Sequence, residues 1–231
     1  MVLGKAAMAV LGEARVIIFG VGGVGSWCAE ALVRTGLKHL TLVDFDTVAE
    51  SNINRQAMAT SGTVGEAKVE AMARRLEAIN PEAEISAIRR RVGKDTLSEF
   101  GLGEFDYIVD AIDSVEDKAE LILSASAEER PVLVSSMGAA LRTRPDMVTV
   151  SEFWKVEGDG LARALRARFR KWGRMPGKKF KCVHSRELPA IGEENGRGSL
   201  MTVTATFGMT LAALILEEIE KSACNAGQKM I

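Results

Sequence analysis

The sequence predicts an α/β protein with a Rossmann-like, mostly parallel and doubly wound sheet. Strand-like runs alternate with helix-like segments along residues 15–135, and the first strand-like run ends in a glycine-rich turn. Strands joined by helices form right-handed crossovers and therefore a mostly parallel sheet. We divide the chain into a core, residues 1–150, and a C-terminal elaboration of the same domain, residues 151–231.

Each element is predicted from a local pattern. Short β-branched and aromatic runs predict strands, and apolar residues at helical spacing predict helices. The predicted strands are Arg15–Phe19, His39–Val43, 84–91, 105–109 and 131–135. The predicted helices are 26–35, 63–79 and 115–129. Ligands of such sheets bind beyond the carboxyl ends of the strands, so we expect functional residues directly after each strand.

The composition restricts the class of protein. The chain has 231 residues and a net charge of −1, so nucleic-acid binding would need a local basic patch. Cys28, Cys182 and Cys224 lie far apart in sequence, which excludes a paired CxxC zinc site and argues against a disulfide framework. The N-terminus has no recognisable signal peptide, and we expect a cytoplasmic protein.

Residues 199–216 form an uncharged stretch that approaches the length of a membrane span. The stretch contains four threonines and Gly208, and three acidic residues follow within the next four positions. We therefore expect a helix in the core or at a subunit interface, and no contact with a membrane.

The glycine-rich turn after the first strand predicts a phosphate site. Glycines let the backbone approach a phosphate closely, and the following helix offers unpaired N–H groups. The glycines concerned are Gly20, Gly22, Gly23 and Gly25. Asp44 ends the second strand, where a carboxylate accepts hydrogen bonds from ribose hydroxyls, and Asp46 follows it. These features suit NAD and ATP equally well.

Polar residues in the next loop favour ATP over a dinucleotide. Asn52, Arg55 and Gln56 lie on the loop after the second strand, and Lys68 comes later. Arg55 and Lys68 would stabilise the charge on a phosphate as pyrophosphate leaves, so we interpret both as catalytic. The alternative is that these two cations are ordinary solvated surface residues.

Two aspartates follow the strand predicted over 105–109. A carboxylate at this edge of the sheet can hold Mg²⁺ against phosphates. Asp113 lies further past the strand than Asp110, so we expect Asp113 to be a catalytic residue and the metal ligand, while Asp110 caps the strand end. The alternative is that Asp113 is only the N-cap of the next helix.

Residues 161–181 contain nine cationic and no acidic side chains, with Trp172 and Phe180 among them. This segment is the expected footprint for a phosphodiester backbone, unless it is simply a solvated basic helix. The residues expected to contact RNA are Arg163, Arg166, Arg170, Lys171, Arg174, Lys178 and Lys179. Nearby, Cys182 and His184 could form a nucleophile pair on one strand face, although a packed cysteine is the commoner arrangement.

Residues 4–150 resemble the adenylating domain of the E1-like superfamily, which includes ubiquitin-activating and sulfur-carrier-activating enzymes. The resemblance is carried by the glycine turn, the Asn-x-x-Arg-Gln loop and the residues at matching spacing around them. It implies ATP and Mg²⁺ as cofactors. It further implies that Asp44 binds ribose, that Arg55 and Lys68 contact phosphates, and that Asp113 is the essential magnesium carboxylate.

Within this superfamily the chain most resembles the tRNA threonylcarbamoyladenosine dehydratases. Ser114 follows Asp113 where sulfur-carrier activators usually carry Asn, and residues 161–173, 181–187 and 202–208 look like the C-terminal region of this branch. The resemblance implies ATP-dependent dehydration of N6-threonylcarbamoyladenosine at position 37 of tRNA, through activation of the threonyl carboxylate. It implies a tRNA partner and a homodimer. A monovalent cation (Na⁺ or K⁺) and a cysteine-desulfurase or sulfur-acceptor partner are further candidates.

Two other functions stay open at this point. The first is adenylation of the C-terminal glycine of a ubiquitin-like sulfur carrier, which would use the same ATP site. The second is an NAD-binding oxidoreductase, which would leave Arg55, Gln56 and Lys68 unexplained. The chain also departs from the superfamily in one respect. Members usually carry an arginine ahead of the first strand that reaches the partner subunit's ATP, and no arginine precedes Arg15 here.

Overall fold

The computed structural model describes residues 2–189 and 198–228, and the seven strands of this part form one sheet. The strand order is β3-β2-β1-β4-β5-β7-β6, and only β6 runs antiparallel to its neighbour. The predicted α/β class with a mostly parallel sheet is therefore confirmed. The strands are β1 Arg15–Phe19, β2 His39–Val43, β3 Glu84–Ile88, β4 Tyr107–Asp110, β5 Val132–Ser136, β6 Val148–Glu152 and β7 Lys181–Ser185.

Helices cover both faces of the sheet, as a doubly wound fold requires. The α-helices of the described residues are α1 Lys5–Glu13, α2 Gly25–Thr35, α3 Lys68–Ile79, α4 Val115–Ala127, α5 Gly160–Trp172 and α6 Met201–Gln228. Leu32 of α2, Met72 of α3 and Phe207 of α6 belong to the core on one face. Ile122 of α4 and Phe169 of α5 belong to the core on the other face.

The helix predicted over 63–79 begins only at Lys68. The preceding residues pair with an earlier loop instead: the N–H of Gly65 donates to the Val48 oxygen and the N–H of Val48 donates to the Glu66 oxygen, both at 2.8 Å. Gly65 has a φ of 93°, in the left-handed region that a helix cannot include. The turn therefore overrides the helical spacing of these residues.

One predicted strand is shorter than expected, and one strand was not predicted. β3 ends at Ile88 rather than at residue 91, so three arginines enter the following loop. β6 was not predicted, because its alternating residues form a half-buried edge strand. β6 and β7 continue the sheet beyond β5, and residue 150, the expected end of the core, lies inside β6.

Helix α6 contains most of the uncharged stretch 199–216. In the described part of the chain, its segment Met201–Asn225 is the one helical stretch long and apolar enough to cross a membrane, and half of its most apolar window is buried inside the protein. The helix packs against α1 and α2. A Cβ at Gly208 would lie only 2.5 Å from the Val24 oxygen. Because glycine has no Cβ, α6 can lie close to the start of α2.

Candidate nucleotide-binding and catalytic site

A cavity of about 640 Å³ opens beyond the carboxyl ends of β1, β2, β4 and β5. This volume suits a ligand of nucleotide size. The residues that line it come from the loops after these four strands and after β3, and from the start of α3, α4, α5 and α6. The structure thus brings together all the predicted cofactor-binding and catalytic residues except Gly25, which lies beneath the glycine loop.

The glycine loop holds its shape through two glycines. Gly20 has a φ of 88°, and a Cβ on it would lie 2.7 Å from the Ala111 oxygen. A Cβ on Gly25, the first residue of α2, would collide with the carbonyl oxygen of Gly20. Gly22, in contrast, faces the cavity, and a Cβ there would find only the Gln56 amide nitrogen, at 3.9 Å. The loop therefore presents bare backbone to a ligand at the N-terminal end of α2.

The Asp44 carboxylate is fixed by the backbone. Its Oδ2 accepts the N–H of Val21 at 2.7 Å, and its Oδ1 accepts the N–H of Asp46 at 2.9 Å. The first bond ties the end of β2 to the glycine loop. A carboxylate oxygen has a second lone pair, so the half-buried Asp44 keeps acceptor capacity towards the cavity for ribose hydroxyls.

Lys68 is held under the cavity as the first residue of α3. Its side chain is 8% exposed and its Nζ donates to Asp46 Oδ2 at 2.8 Å, while Asp46 is half exposed. A buried ammonium group with one exposed carboxylate partner can turn a further donor towards a phosphate. The position of Lys68 argues against the solvated-surface alternative for this residue.

Gln56, on the loop after β2, lines the cavity and has a side-chain oxygen that is free to accept a hydrogen bond. The Gln56 side-chain oxygen is buried and has no hydrogen-bond partner among the described residues. Asn52 is also buried, but its side-chain oxygen accepts the Ala49 N–H at 3.0 Å and so shapes the loop. Because a buried acceptor without a partner is costly, Gln56 points to a ligand that donates a hydrogen bond.

Arg55 lies over the glycine loop. A Cβ on Gly23 would be 3.2 Å from the Arg55 Cγ. The guanidinium donates to the Ser51 oxygen at 2.7 Å and to the Asn54 side chain at 2.9 Å, both within its own loop. No carboxylate among the described residues pairs with Arg55, so its charge is available to an anion in the cavity.

Asp113 is exposed at the edge of the cavity, three residues beyond β4. The N-cap of α4 is Ser114, so the alternative that Asp113 is only the N-cap of this helix is wrong. No group of three or more metal-binding side chains exists in the described residues. Mg²⁺ that bridges ATP phosphates needs only one or two carboxylates, so the donor set around Asp113 fits such an ion.

Three charged residues of the cavity lining were not predicted from the sequence. Arg90 and Arg91 follow β3, and Asp117 lies on the first turn of α4. Arg91 pairs with Asp117 at 3.1 Å, and its guanidinium lies 5.3 Å from the ring centroid of Phe45. The rule that ligands meet the carboxyl ends of strands would have found both arginines, had β3 been predicted to end at Ile88.

Cys182 and His184 lie away from the cavity lining and do not form a nucleophile pair. Burial raises the pKa of the Cys182 thiol well above its usual value, which keeps it protonated. The His184 Nε2 forms a hydrogen bond with the Ser151 hydroxyl at 2.9 Å. The commoner arrangement of a packed cysteine therefore applies.

The basic segment divides into two groups of side chains. Arg166 donates to the Phe153 and Val156 oxygens, Arg174 pairs with Glu120 at 2.9 Å, and Lys178 donates to the Glu128 and Pro131 oxygens. These three cations are engaged by partners within the fold. The other expected RNA contacts are exposed and form no ion pair with a described residue: Arg163, Arg170, Lys171 and Lys179.

Comparison with known proteins identifies the family. The chain matches the ThiF family model over residues 1–229. A tRNA threonylcarbamoyladenosine dehydratase from Haemophilus influenzae is 34% identical in an alignment that covers 93% of this chain and 89% of that protein. The crystal structure of the E. coli tRNA N6-threonylcarbamoyladenosine dehydratase TcdA in complex with AMP has a TM-score of 0.91 and 36% identity, covering 97% of this chain and 93% of that one. TcdA has also been solved in complex with ATP.

The similarity to sulfur-carrier activators is shorter. A molybdopterin-synthase adenylyltransferase from Salmonella typhimurium is 34% identical over 132 residues, which cover 57% of this chain and 51% of that protein. The chain belongs to the ThiF family, and its similarity to the tRNA threonylcarbamoyladenosine dehydratases extends over nearly its whole length.

Proposed function

We propose that this protein is an ATP-dependent tRNA threonylcarbamoyladenosine dehydratase. It would activate the threonyl carboxylate of N6-threonylcarbamoyladenosine at position 37 of tRNA and close a ring with net loss of water. The observation that carries the proposal is the convergence of Arg55, Lys68 and Asp113 on one cavity in a chain that aligns with dehydratases almost from end to end. Its setting would be the cytoplasm.

In this proposal the fold orients ATP from its base to its phosphates. Asp44 accepts hydrogen bonds from the ribose hydroxyls. The Gly22 backbone and the N-terminal end of α2 bind the phosphates. Arg55 and Lys68 supply positive charge beside the phosphorus that is attacked. Gln56 accepts a hydrogen bond from the ligand, which satisfies its buried oxygen.

The chemistry needs charge stabilisation rather than a protein nucleophile. An oxygen of the threonyl carboxylate attacks a phosphorus of ATP, and the phosphate leaving group departs with the bonding electrons. A nitrogen of the same threonylcarbamoyl group then attacks the acyl carbon and loses its proton. The bond from the acyl carbon to the activated oxygen breaks, and the phosphoryl-bearing group that the first step attached leaves with that oxygen and the bonding electrons. Arg55 and Lys68 stabilise the charge of both leaving groups. When bound, Mg²⁺ would be held by Asp113 and would neutralise phosphate charge.

The proposed tRNA surface is the exposed part of α5. The helix begins beside the cavity, since Leu161 lines it, and carries Arg163, Arg170 and Lys171 on its exposed side. Cations on one exposed surface attract a phosphodiester backbone even when the protein as a whole is nearly neutral. This arrangement would guide the anticodon loop towards the cavity.

We further propose that the protein is a homodimer. Leu200, which precedes α6, and Met201 and Met209 of α6 are apolar side chains that are 44–48% exposed, and Ser199 and Thr204 of the same segment line the cavity. A second copy of the chain would cover these side chains. Light scattering coupled to size exclusion should give twice the monomer mass, and a monomer would contradict this proposal.

A monovalent cation and a sulfur-transfer partner stay predictions from the resemblance.

Substrate-dependent ATP turnover tests the proposed function. ATP consumption should rise when tRNA carrying threonylcarbamoyladenosine is added, and unmodified tRNA should have no effect. Stimulation by a ubiquitin-like sulfur carrier instead would favour the adenylating alternative. A thermal-shift comparison addresses the oxidoreductase alternative, because a protein that binds NADH but not ATP would be stabilised only by NADH.

A further inference from the structure

Two ion pairs of the described residues have both side chains at most 1% exposed. One is Lys118 with Asp110, at 2.8 Å, and the other is Arg142 with Asp159, at 3.0 Å. The proposed roles of the cavity residues use neither pair. Lys118 lies on the second turn of α4 and points back under the loop that joins β4 to this helix, the loop that carries Asp113.

Lys118 and Asp110 together hold the residue that precedes Asp113. The Lys118 Nζ donates to the Ile112 oxygen at 3.0 Å, and Asp110 Oδ1 accepts the Ile112 N–H at 3.2 Å. The Ser135 hydroxyl of β5 donates to Asp110 Oδ2 at 2.7 Å. The Ile112 carbonyl is therefore anchored to α4 through Lys118. The Ile112 N–H is anchored through Asp110 to the end of β4, and Ser135 links Asp110 to β5.

Stability alone does not account for this arrangement. Two buried charges lose their hydration, and well-packed apolar residues of similar volume often stabilise a fold as well or better. The ion pair supplies what an apolar pair cannot: a charged donor and a charged acceptor that form hydrogen bonds with the loop backbone. The charges hold Ile112, one residue before Asp113, the exposed cavity carboxylate that forms no ion pair with another described residue.

We propose that Lys118 is a positioning residue for Asp113, acting through the Ile112 carbonyl. This inference depends on the proposed function, because it assumes that Asp113 binds the ATP-bound metal. Lys118 keeps the Asp113 loop in the geometry that the metal requires, and it touches neither ATP nor the substrate. Its removal should weaken metal binding while the fold persists.

The test measures Mn²⁺ binding by electron paramagnetic resonance in the presence of ATP. The double variant Asp110→Asn/Lys118→Met removes both charges together, so that no unpaired charge is left buried, and removes the donor to Ile112. The matched control is Asp159→Asn/Arg142→Met, which removes the other fully buried pair. Lys118→Arg keeps a charged donor and should recover part of the affinity.

We expect the Mn²⁺ Kd to rise by about tenfold or more in Asp110→Asn/Lys118→Met, as is usual when a residue that orients a metal ligand is removed. The control variant should keep the wild-type Mn²⁺ Kd. An unchanged Kd in the first variant, or an equal rise in the control, would overturn the proposal. If the double variant does not fold, Ser135→Ala removes only the hydroxyl that holds Asp110, and the Kd should still rise about threefold. A wild-type Kd in Ser135→Ala would then count against the inference.

A parallel measurement on Asp113→Asn separates this inference from the proposed function. If Asp113→Asn leaves the Mn²⁺ Kd unchanged, the metal assignment itself is wrong. If Asp113→Asn weakens Mn²⁺ binding and the Lys118 variants do not, only the positioning role of Lys118 is wrong.

Discussion

The four aspartates at the carboxyl edge of the sheet differ in what surrounds them, and this difference separates their tasks. Asp44 accepts two backbone N–H groups, Asp46 pairs with Lys68, and Asp110 is wholly buried with its own cationic partner. Asp113 alone of the four is exposed to the cavity without an ion pair among the described residues. A carboxylate in this position is the one best able to bind a divalent ion that arrives with ATP.

Asp113 should be needed for turnover but not for folding. Asp113→Asn keeps the size of the side chain but removes the negative charge, so turnover should fall by about 100-fold or more. The melting temperature should stay near that of the wild type, because Asp113 caps no helix and forms no ion pair with a described residue. Normal turnover in this variant would remove the magnesium assignment.

Two glycines of the same loop should respond differently to one added methyl group. Gly25→Ala forces a Cβ into the Gly20 oxygen, and we expect a loss of about 3 kcal/mol or more in the free energy of unfolding. Gly22→Ala should fold normally but weaken ATP binding, because its methyl group enters the phosphate space. Urea unfolding and calorimetric titration with ATP measure the two effects. Equal stability of both variants would contradict this description of the loop.

At the scale of elements, the sequence predicted the parts whose patterns are local. β1 and β2 have the predicted bounds because their runs are mostly apolar and are followed directly by Gly20 and Asp44. The turn at residues 63–67 depends on pairing with the distant Val48, which no local pattern reveals. The arginines after β3 were hidden for the same reason, since β3 ends where its pairing with β2 ends.

The site was predicted to the extent that its residues follow strands. The glycines, Asp44 and Asp113 were found by this rule, and the cavity contains Asp44 and Asp113. The basic segment shows the limit of the rule. Composition counts charges but not partners, and the acceptors of Arg166 and Lys178 come from backbone carbonyls that only the fold brings near.

Strand β7 carries a pH-dependent contribution to stability. Burial lowers the pKa of His184 below its usual value of 6.5, so the unfolded chain takes up the proton first as the pH falls. The contribution of His184 is therefore complete above about pH 6.5 and decreases as the pH falls towards the lower pKa of the folded state. Between pH 7.5 and 5.5, the free energy of unfolding should fall more in the wild type than in His184→Gln. Parallel decreases in urea titrations would contradict this prediction.

At the scale of the whole molecule, α5 carries cations of two kinds: Arg166 donates to backbone oxygens, whereas Arg170 and Lys171 are exposed and are proposed to contact tRNA. Arg170→Glu/Lys171→Glu reverses two exposed charges, so tRNA affinity should fall about tenfold or more and its salt dependence should become shallower. The fold should be unaffected. Arg166→Ala is the matched comparison: it removes donors to two backbone oxygens and should lower the melting temperature. Unchanged tRNA binding in the double variant would remove α5 from the proposed surface.

Under the proposed function, the protein converts threonylcarbamoyladenosine in tRNA into its cyclic, dehydrated form. The most direct measurement is mass spectrometry of nucleosides from modified tRNA after incubation with the protein, ATP and Mg²⁺, isolated gently so that the ring does not reopen. The modified nucleoside should lose the mass of one water molecule, and only when ATP is present. An unchanged nucleoside mass, with ATP bound and Asp113 intact, would contradict the claim and direct attention to a protein C-terminal carboxylate as the substrate.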